Sequence, residues 1–265
     1  MPKRKRKPEV LTNSALVSVP KHWLRANYHF HVFHYRMPGT VAIASVTPFV
    51  PSPLTVKMAL VASLLQSGDD KSAKQLAPLL PQIEVRIVPP SSAFSFKAFL
   101  RYRSVPAPPE KDKKTGKLKL PGLDESGSYY LSRPHTREYA LMESGIILFV
   151  GLPDKSISEI VKTALQGIRY LGCKDSLVTC LGVEEANEDE VKEAKTVQLL
   201  QLQEDVSVSV ILGADFKNSA RIELMDLIPG GSIRKEDHYY THQPFILPGK
   251  IFVRGRTRVF KAELL

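Results

Sequence analysis

The sequence predicts an α+β fold in which two helices cover one face of an antiparallel sheet. The first observation is the order of the patterned segments between residues 28 and 183, which reads strand, helix, strand, strand, helix, strand. The second is a lysine-rich arm, residues 97–137, which is too polar to pack inside and therefore protrudes. The third is the final third of the chain, where strand-like segments predict a smaller, mostly β subdomain.

The first strand is predicted over residues 28–35, where aromatic, aliphatic and histidine side chains alternate, and ordered structure is expected to begin at Trp23. His29 and His31 fall on one face of this strand and His34 on the other. Histidines split between two faces cannot converge on one ion, so neither a metal nor another cofactor is predicted. A polar surface on which rings can stack is the expected use of this strand.

A helix follows, with Ser52 as its N-cap, Pro53 in its first position and Gly68 as its terminator. Its apolar stripe is formed by Leu54, Met58, Val61 and Leu65. Further strands are predicted at residues 83–88 and 94–103, with the arm leaving the sheet after the second of these. Beyond the arm, residues 138–142 and 146–152 read as two strands around a turn.

The second helix is predicted from a capping box formed by Ser156 and Glu159, and Gly172 is expected to end it. A strand at 177–183 completes the order. Cys173 and Cys180 fit neither a disulfide framework nor a zinc site, and we expect both to be small buried side chains.

The carboxy-terminal third begins after an acidic block, 184–195, predicted to be a solvated linker or a repelling surface. Strands are expected at 196–202, 206–212, 221–227 and 250–260. In the last of these, Phe252 and three arginines share one face, which favours either phosphate contact or a salt-bridged edge strand. The three arginines are Arg254, Arg256 and Arg258.

The positive charge is concentrated in two segments. The net charge is +10; the first seven residues contribute +5 and the arm +6, so the rest of the chain sums to −1. A basic segment of this kind favours a polyanion, most often a nucleic acid. No apolar run approaches the roughly 20 residues of a membrane span, and the basic start lacks the apolar region of a secretory signal, so a cytoplasmic protein without membrane contact is expected.

The order of elements is that of the ferredoxin-like, split βαβ fold, which RNA-recognition domains share. The predicted division is a basic disordered tail at 1–22 and a ferredoxin-like domain at 23–183 with a thumb-like hairpin insertion at about 103–137. The acidic linker at 184–195 and a β-rich subdomain at 196–265 follow.

Three segments carry a resemblance to a known family. TPFVPSPLTVKMALVASLLQSG, REYALMESGIILFVGLP and ALQGIRYLGCKDSLVTCLG, together with the basic arm, resemble the fifth Cas protein family of the RAMP superfamily, over roughly residues 28–183. The resemblance implies a ferredoxin-like body with a thumb hairpin, a role in gripping the 5′ handle of crRNA, and contacts with the large subunit and a backbone subunit of a Cascade-type complex, near the target nucleic acid. The superfamily's glycine-rich loop is represented here by Gly230 and Gly231 alone.

The candidate RNA-binding residues are cationic or aromatic and lie mainly on the arm. Lysines would neutralise handle phosphates, while tyrosine, histidine and arginine planes would stack unpaired bases. For the arm lysines the alternative is a solvated loop tip, and for the tyrosines it is cross-strand packing. The candidates are Lys57, Arg101, Tyr102, Arg103, Lys111, Lys113, Lys114, Lys117, Lys119, Tyr129, Tyr130, Arg133, His135, Arg137, Arg234 and Lys235.

Two other functions stay open at this stage. A metal-independent endoribonuclease that processes precursor crRNA would draw an acid and a base from histidine and tyrosine side chains. The candidates are His22, His238, Tyr239, Tyr240 and His242, none of which lies in a motif that defines a geometry. The third possibility is a basic RNA-binding scaffold unrelated to CRISPR.

Overall fold

The described chain has a mixed α/β fold built on antiparallel sheets, as predicted. A computed structural model describes residues 22–35, 46–104, 110–119, 131–200, 209–228 and 239–263, with the backbone alone at 101–104, 110, 119 and 131–135. The helices and strands are β1 His22–Phe30, α1 Pro53–Gln66, α2 Asp70–Leu76, β2 Glu84–Val88, β3 Ser92–Ser104, β4 Glu110–Lys111, β5 Leu118–Lys119, β6 Leu131–Met142, β7 Ile146–Leu152, α3 Ser158–Gly167, β8 Val178–Ala186, α4 Glu188–Glu193, β9 Gln198–Leu199, β10 Ser209–Phe216, α5 Leu224–Leu227, β11 Tyr240–Leu247, β12 Gly249–Arg254 and β13 Thr257–Ala262.

The central sheet has the strand order β2-β7-β1-β8, and every neighbouring pair is antiparallel. Leu24, Ala26 and Tyr28 of β1 are fully buried. The Tyr28 hydroxyl donates a hydrogen bond to the Leu165 carbonyl of α3 at 2.5 Å. Burial raises the pKa of Tyr28, so this hydroxyl keeps its proton and ties α3 to the sheet.

The signals that predicted the first helix are confirmed. The Ser52 side chain accepts a hydrogen bond from the Thr55 backbone N–H, Pro53 begins α1, and Gly68 adopts a φ of +81° just beyond its end. The buried face of α1 is shifted from the predicted stripe: Leu54 and Val61 are buried, but Met58 and Leu65 are only partly buried. Val56, Leu60 and Leu64 are buried instead, because β10 packs against α1 in addition to α3.

The second helix differs from its prediction at both ends. Asp154, not Ser156, provides the cap, since its carboxylate accepts from the Ser156 N–H at 2.8 Å and a 3₁₀ turn, Lys155–Ile157, precedes α3. The helix ends at Gly167, before the predicted Gly172. A local capping pattern was therefore overridden by an acid two residues upstream.

The predicted third strand belongs to a different sheet. β3 pairs with β6 and β13 in a second antiparallel sheet of order β12-β13-β3-β6, while β7 supplies the third strand of the central sheet. β7 reads IILFVGL and is buried along most of its length, as a strand in the middle of a covered sheet must be. β3 instead leaves phenylalanines exposed.

Part of the second face of the central sheet is covered as well. Trp23 and Phe149 pack against Val191 of α4. Arg25 pairs with Glu184 at 2.9 Å and with Glu190 at 3.5 Å. The linker prediction for 184–195 is therefore wrong, since these residues extend β8 and form α4, although Glu184, Glu185, Glu188 and Asp189 are exposed as its alternative, a charged surface, requires. The prediction of an open second face fails at this end.

The carboxy-terminal strands differ from the prediction in three places. Residues 250–260 form a hairpin, because Gly255 has a φ of +62° and sits in a two-residue turn that β12 and β13 flank. Residues 221–227 contain the short helix α5 instead of a strand, and β11 was not predicted. Phe216, Phe245 and Phe260 join the same buried cluster as the central sheet, so one core cluster spans the central sheet and the carboxy-terminal strands.

The turn between β6 and β7 depends on a glycine that lies against β1. A Cβ on Gly145 would stand 2.2 Å from the backbone oxygen of Tyr28, and a backbone atom cannot rotate away. We expect Gly145→Ala to lower the free energy of unfolding by about 1–3 kcal/mol in urea denaturation. Gly182→Ala is the control: a Cβ there meets nothing within 4 Å, so a change within about 0.5 kcal/mol is expected. Equal losses in the two variants would contradict the close approach.

In the part of the chain that the structure describes, no helix combines the length and apolarity required to cross a bilayer.

Candidate nucleic-acid interface

The arm is rooted in a long hairpin formed by β3 and β6. Their register runs from Ala93 opposite Met142 to Ser104 opposite Leu131. β13 pairs only with Ser92 to Phe94 of β3. Beyond Phe94, β3 and β6 continue as a two-stranded hairpin.

A buried ion pair holds this root. The Glu138 carboxylate is only 3% exposed and accepts two hydrogen bonds from the Arg258 guanidinium, at 3.1 and 3.0 Å. The Ser95 hydroxyl donates to the same carboxylate at 2.7 Å, and the Thr47 N–H donates at 2.8 Å. Burial by itself raises the pKa of Glu138, but these donors outweigh it and the pKa is lowered overall. Arg258 is therefore partly buried and paired, whereas Arg254 and Arg256 are exposed, and the predicted row of three arginines does not form.

Between β3 and β6 the chain forms a second, smaller hairpin, in which β4 pairs with β5. The Asp112 carboxylate accepts hydrogen bonds from the N–H groups of Lys114, at 2.7 Å, and Thr115, at 3.2 Å. These bonds lower the pKa of Asp112 and anchor the turn, in which Gly116 has a φ of +68°. Asp112, the acid within this run of lysines, therefore stabilises the turn by accepting hydrogen bonds from neighbouring backbone N–H groups.

Four lysine side chains of this small hairpin are exposed, which both the predicted phosphate grip and its alternative, a solvated loop tip, require. Lys111, Lys113, Lys114 and Lys117 all face solvent. Of the other candidates, Tyr129, Tyr130, Arg234 and Lys235 lie outside the described residues, and only the backbone is described for Arg101, Tyr102, Arg103, Lys119, Arg133 and His135. The backbone register sets residue 102 opposite residue 133 and residue 100 opposite residue 135.

Arg137 is half-buried and paired. Its guanidinium donates to the Asp175 carboxylate at 2.6 Å, and the Tyr139 hydroxyl donates to the same oxygen at 3.1 Å. Burial raises the pKa of Tyr139. The ring of His34 lies 5.0 Å from that of Tyr139, and the Ser176 hydroxyl accepts from the His34 N–H at 2.7 Å. This network fastens the loop before β8 to the arm's root.

The structure contradicts the prediction for Lys57. Its side chain is 2% exposed, and its ammonium lies 2.7 Å from the Asp215 carboxylate of β10. Burial raises the pKa of Asp215, although the nearby ammonium opposes this shift. Lys57 therefore joins α1 to β10 and is removed from the candidate RNA-binding set.

Replacing the pair as a whole tests this structural role. We expect the double variant Lys57→Met/Asp215→Leu to keep or slightly raise the free energy of unfolding, because well-packed apolar residues often replace a buried ion pair without loss. RNA affinity, measured by fluorescence anisotropy, is expected to remain that of the original protein. Lys57→Met alone should lose stability, since it leaves a desolvated carboxylate. A loss of RNA affinity in the folded double variant would show that Lys57 contacts RNA after all.

The residues considered for nuclease chemistry are only partly brought together. His22 of β1 contacts Ser158 of α3 at 3.2 Å and Glu185 of β8 at 3.7 Å. His242 lies on β11, with its ring 5.6 Å from that of Tyr240. His238 lies outside the described residues. Nε2 of His242 is buried, without a hydrogen-bond partner in the described part of the chain. Within the same ranges, no cluster of three or more potential metal ligands is found.

Sequence reasoning missed an aromatic surface on the second sheet. Phe94 is 47% exposed, Phe96 36% and Phe252 46%. The register places Phe94 opposite Val259 and Val259 opposite Phe252, so these residues share one face. The Phe96 ring stacks on that of Tyr139, with centroids 5.8 Å apart. We call this face, formed by Phe94, Phe96, Tyr139, Val259 and Phe252, the aromatic face. The sequence signal for this face was the spacing of Phe94 and Phe96, two residues apart on one strand, which places both side chains on the same face.

Comparison with known proteins identifies a relative over most of the chain. No protein-family model matches. A curated protein from Archaeoglobus fulgidus, named CRISPR-associated protein Cas5, is 23% identical over 235 residues, which cover 86% of this chain and 95% of the relative.

The chain also matches solved structures, of which two are described here. One is described as a CRISPR protein from Archaeoglobus fulgidus, with a TM-score of 0.36, 11% identity, and coverage of 91% of this chain and 92% of that one. The other, described as a CRISPR RNA-guided surveillance complex, has a TM-score of 0.43, 14% identity, and coverage of 84% and 87%. Both scores are too low to establish a shared fold. The resemblance predicted from the sequence is confirmed to this extent: the chain is similar, over 86% of its length, to a curated protein named CRISPR-associated protein Cas5.

Proposed function

We propose that this protein is the crRNA-binding subunit that caps the 5′ handle of the guide RNA in a Cascade-type CRISPR interference complex, in the cytoplasm. The observation that carries the proposal is the small arm hairpin, where four lysines face solvent and the Asp112 carboxylate is bound to its own backbone. An exposed lysine cluster of this kind neutralises phosphates and releases counterions, which gives tight, salt-dependent binding. The Cas5 relative supports the choice of crRNA as the polyanion.

We further propose that the body is ferredoxin-like and that the arm is its thumb. The strand order β2-β7-β1-β8 and the position of α1 and α3 support this proposal, because a split βαβ fold has the same order and covers one face with two helices. Contacts with the large subunit and a backbone subunit are part of the proposal, with the target nucleic acid nearby.

The proposal is tested with purified protein and a stem-loop repeat RNA in the presence of a chelator. We expect a retarded complex on a native gel, intact RNA on a denaturing gel, and an affinity that falls linearly with the logarithm of salt concentration. An affinity no higher than for an unrelated duplex of the same length would refute handle capping.

The same denaturing gel tests the alternative, a metal-independent endoribonuclease. The observation that favours it is the neighbouring pair of His242 and Tyr240, in which the imidazole Nε2 lacks a described partner. Since that nitrogen is buried, cleavage by this pair requires the ring to turn outward. Cleavage at one position that His242→Ala abolishes would establish the alternative and displace the capping-only function.

A further inference from the structure

We infer that the aromatic face of the second sheet is a stacking platform for an unpaired segment of RNA. This inference rests on the proposed function and extends it to residues outside the lysine-bearing arm tip. Three exposed phenylalanines on one antiparallel sheet resemble the way in which sheet-based RNA-binding domains present aromatic rings to two or three bases.

The cations on this face identify the chemistry of its ligand. Lys250, Arg254 and Lys261 are exposed: Lys250 and Arg254 flank Phe252 on β12, and Lys261 follows Val259 on the same face of β13. None of the three forms an ion pair with another described residue. Lys250 stands directly opposite Lys261, and like charges in that position destabilise a sheet. An anionic ligand would relieve this repulsion.

Cations outnumber the acids near this face. The Asp175 carboxylate is paired with the Arg137 guanidinium. Glu143, which accepts from the Ser92 hydroxyl, and Glu263, which follows Lys261 by two residues, are the exposed acids beside the three cations. The face therefore offers flat apolar rings and an excess of positive charge. That combination matches a single-stranded nucleic acid, which has stackable bases and one phosphate per nucleotide.

The spacing of these positions along the strand suits bases as well. The Cα atoms of Phe94 and Phe96, two residues apart, are separated by about 6.8 Å, twice the rise of about 3.4 Å per nucleotide along a stacked strand. Because β3 and β6 also form the root of the arm, an RNA held by the arm lysines has a continuous sheet surface on which its next bases can lie.

The first test removes the rings and keeps the charge. In fluorescence anisotropy with a short labelled oligoadenylate, Phe94→Leu/Phe252→Leu should bind roughly 10- to 100-fold more weakly than the original protein. The slope of log affinity against log salt should stay unchanged, because no cation is lost. Phe99→Leu is the matched control: Phe99 lies on the opposite face of β3, is 67% exposed, and should bind normally.

The second test uses the original protein, so it does not depend on the folding of a variant. RNA carrying 5-bromouridine is photo-crosslinked to the protein, and the modified peptides are identified by mass spectrometry. We expect adducts within residues 92–97 and 250–254. Adducts confined to the arm tip, residues 110–119, would overturn the platform.

The outcomes separate this inference from the function on which it rests. If the leucine variant binds oligoadenylate like the original protein while alanine at the arm lysines weakens binding, the platform is wrong and the capping function stands. If the original protein binds no RNA, both fail.

Discussion

Replacing Lys111, Lys113, Lys114 and Lys117 with alanine is expected to lower the affinity for handle RNA by two to three orders of magnitude at about 0.1 M salt. Each lysine that neutralises a phosphate of a single strand contributes about 0.7 to the slope of log affinity against log salt, so the slope should become shallower by about 3. The side chains are exposed, and their turn is held by Asp112, so the fold should be unaffected. Native gels or anisotropy across a salt series measure both quantities.

A matched comparison isolates position from total charge. Lys113→Ala/Lys114→Ala and Lys71→Ala/Lys74→Ala remove the same charge, the second pair from the exposed surface of α2. The arm pair should flatten the salt slope by about 1.4, whereas the α2 pair should leave it nearly unchanged. Equal slopes for the two variants would mean that binding responds to net charge alone and that the arm has no special role.

The second large effect is expected at the root of the arm. Arg258→Leu should lower the free energy of unfolding by about 3–5 kcal/mol, because it leaves the Glu138 carboxylate buried without its strongest donor. Arg256→Ala, on the adjacent turn and fully exposed, should change it by no more than about 0.5 kcal/mol. Urea unfolding of the two variants provides the measurement. If both lose equally little, the buried pair does not hold the root.

The same pair predicts a dependence on pH. The pKa of Glu138 is lower in the folded protein than in the unfolded chain, whose value is about 4.3. Its contribution to stability is therefore fully present above that value and is lost as the pH falls through the folded pKa. Glu138→Gln should show a shallower loss of stability than the original protein between about pH 5 and the folded pKa. Parallel curves would assign the acid sensitivity to other carboxylates.

The elements that could be predicted from the sequence are those whose signals are local. α1 is encoded by a cap at Ser52, a proline at its first position and a glycine beyond its end, all within one segment. The exposure of the arm lysines likewise follows from a run of charge too dense to bury. Neither inference needs a residue from elsewhere in the chain.

The failures that bear on the candidate site involve partners far away along the chain. β3 has the pattern of a strand, but its sheet is decided by β13. Lys57 lies in an apolar helix, and only the arrival of Asp215 from β10 turns a candidate phosphate ligand into a buried ion pair. The aromatic face was missed because Phe94 and Phe252 become neighbours only through Val259. The pattern of residue types along one segment does not show which distant segment will pair with it.

Because β13 pairs with β3, the second sheet cannot be completed until β13 has been synthesised. The arm's two strands leave the ribosome early, but their edge partner and Arg258 belong to the last described strand. Until Thr257–Ala262 has emerged, Glu138 lacks its guanidinium and the edge of β3 at Ser92 to Phe94 is unpaired. The nascent chain thus passes through a stage with an open strand edge bearing exposed phenylalanines, a form prone to pair with other chains. The arm acquires its native root only when the end of the fold arrives.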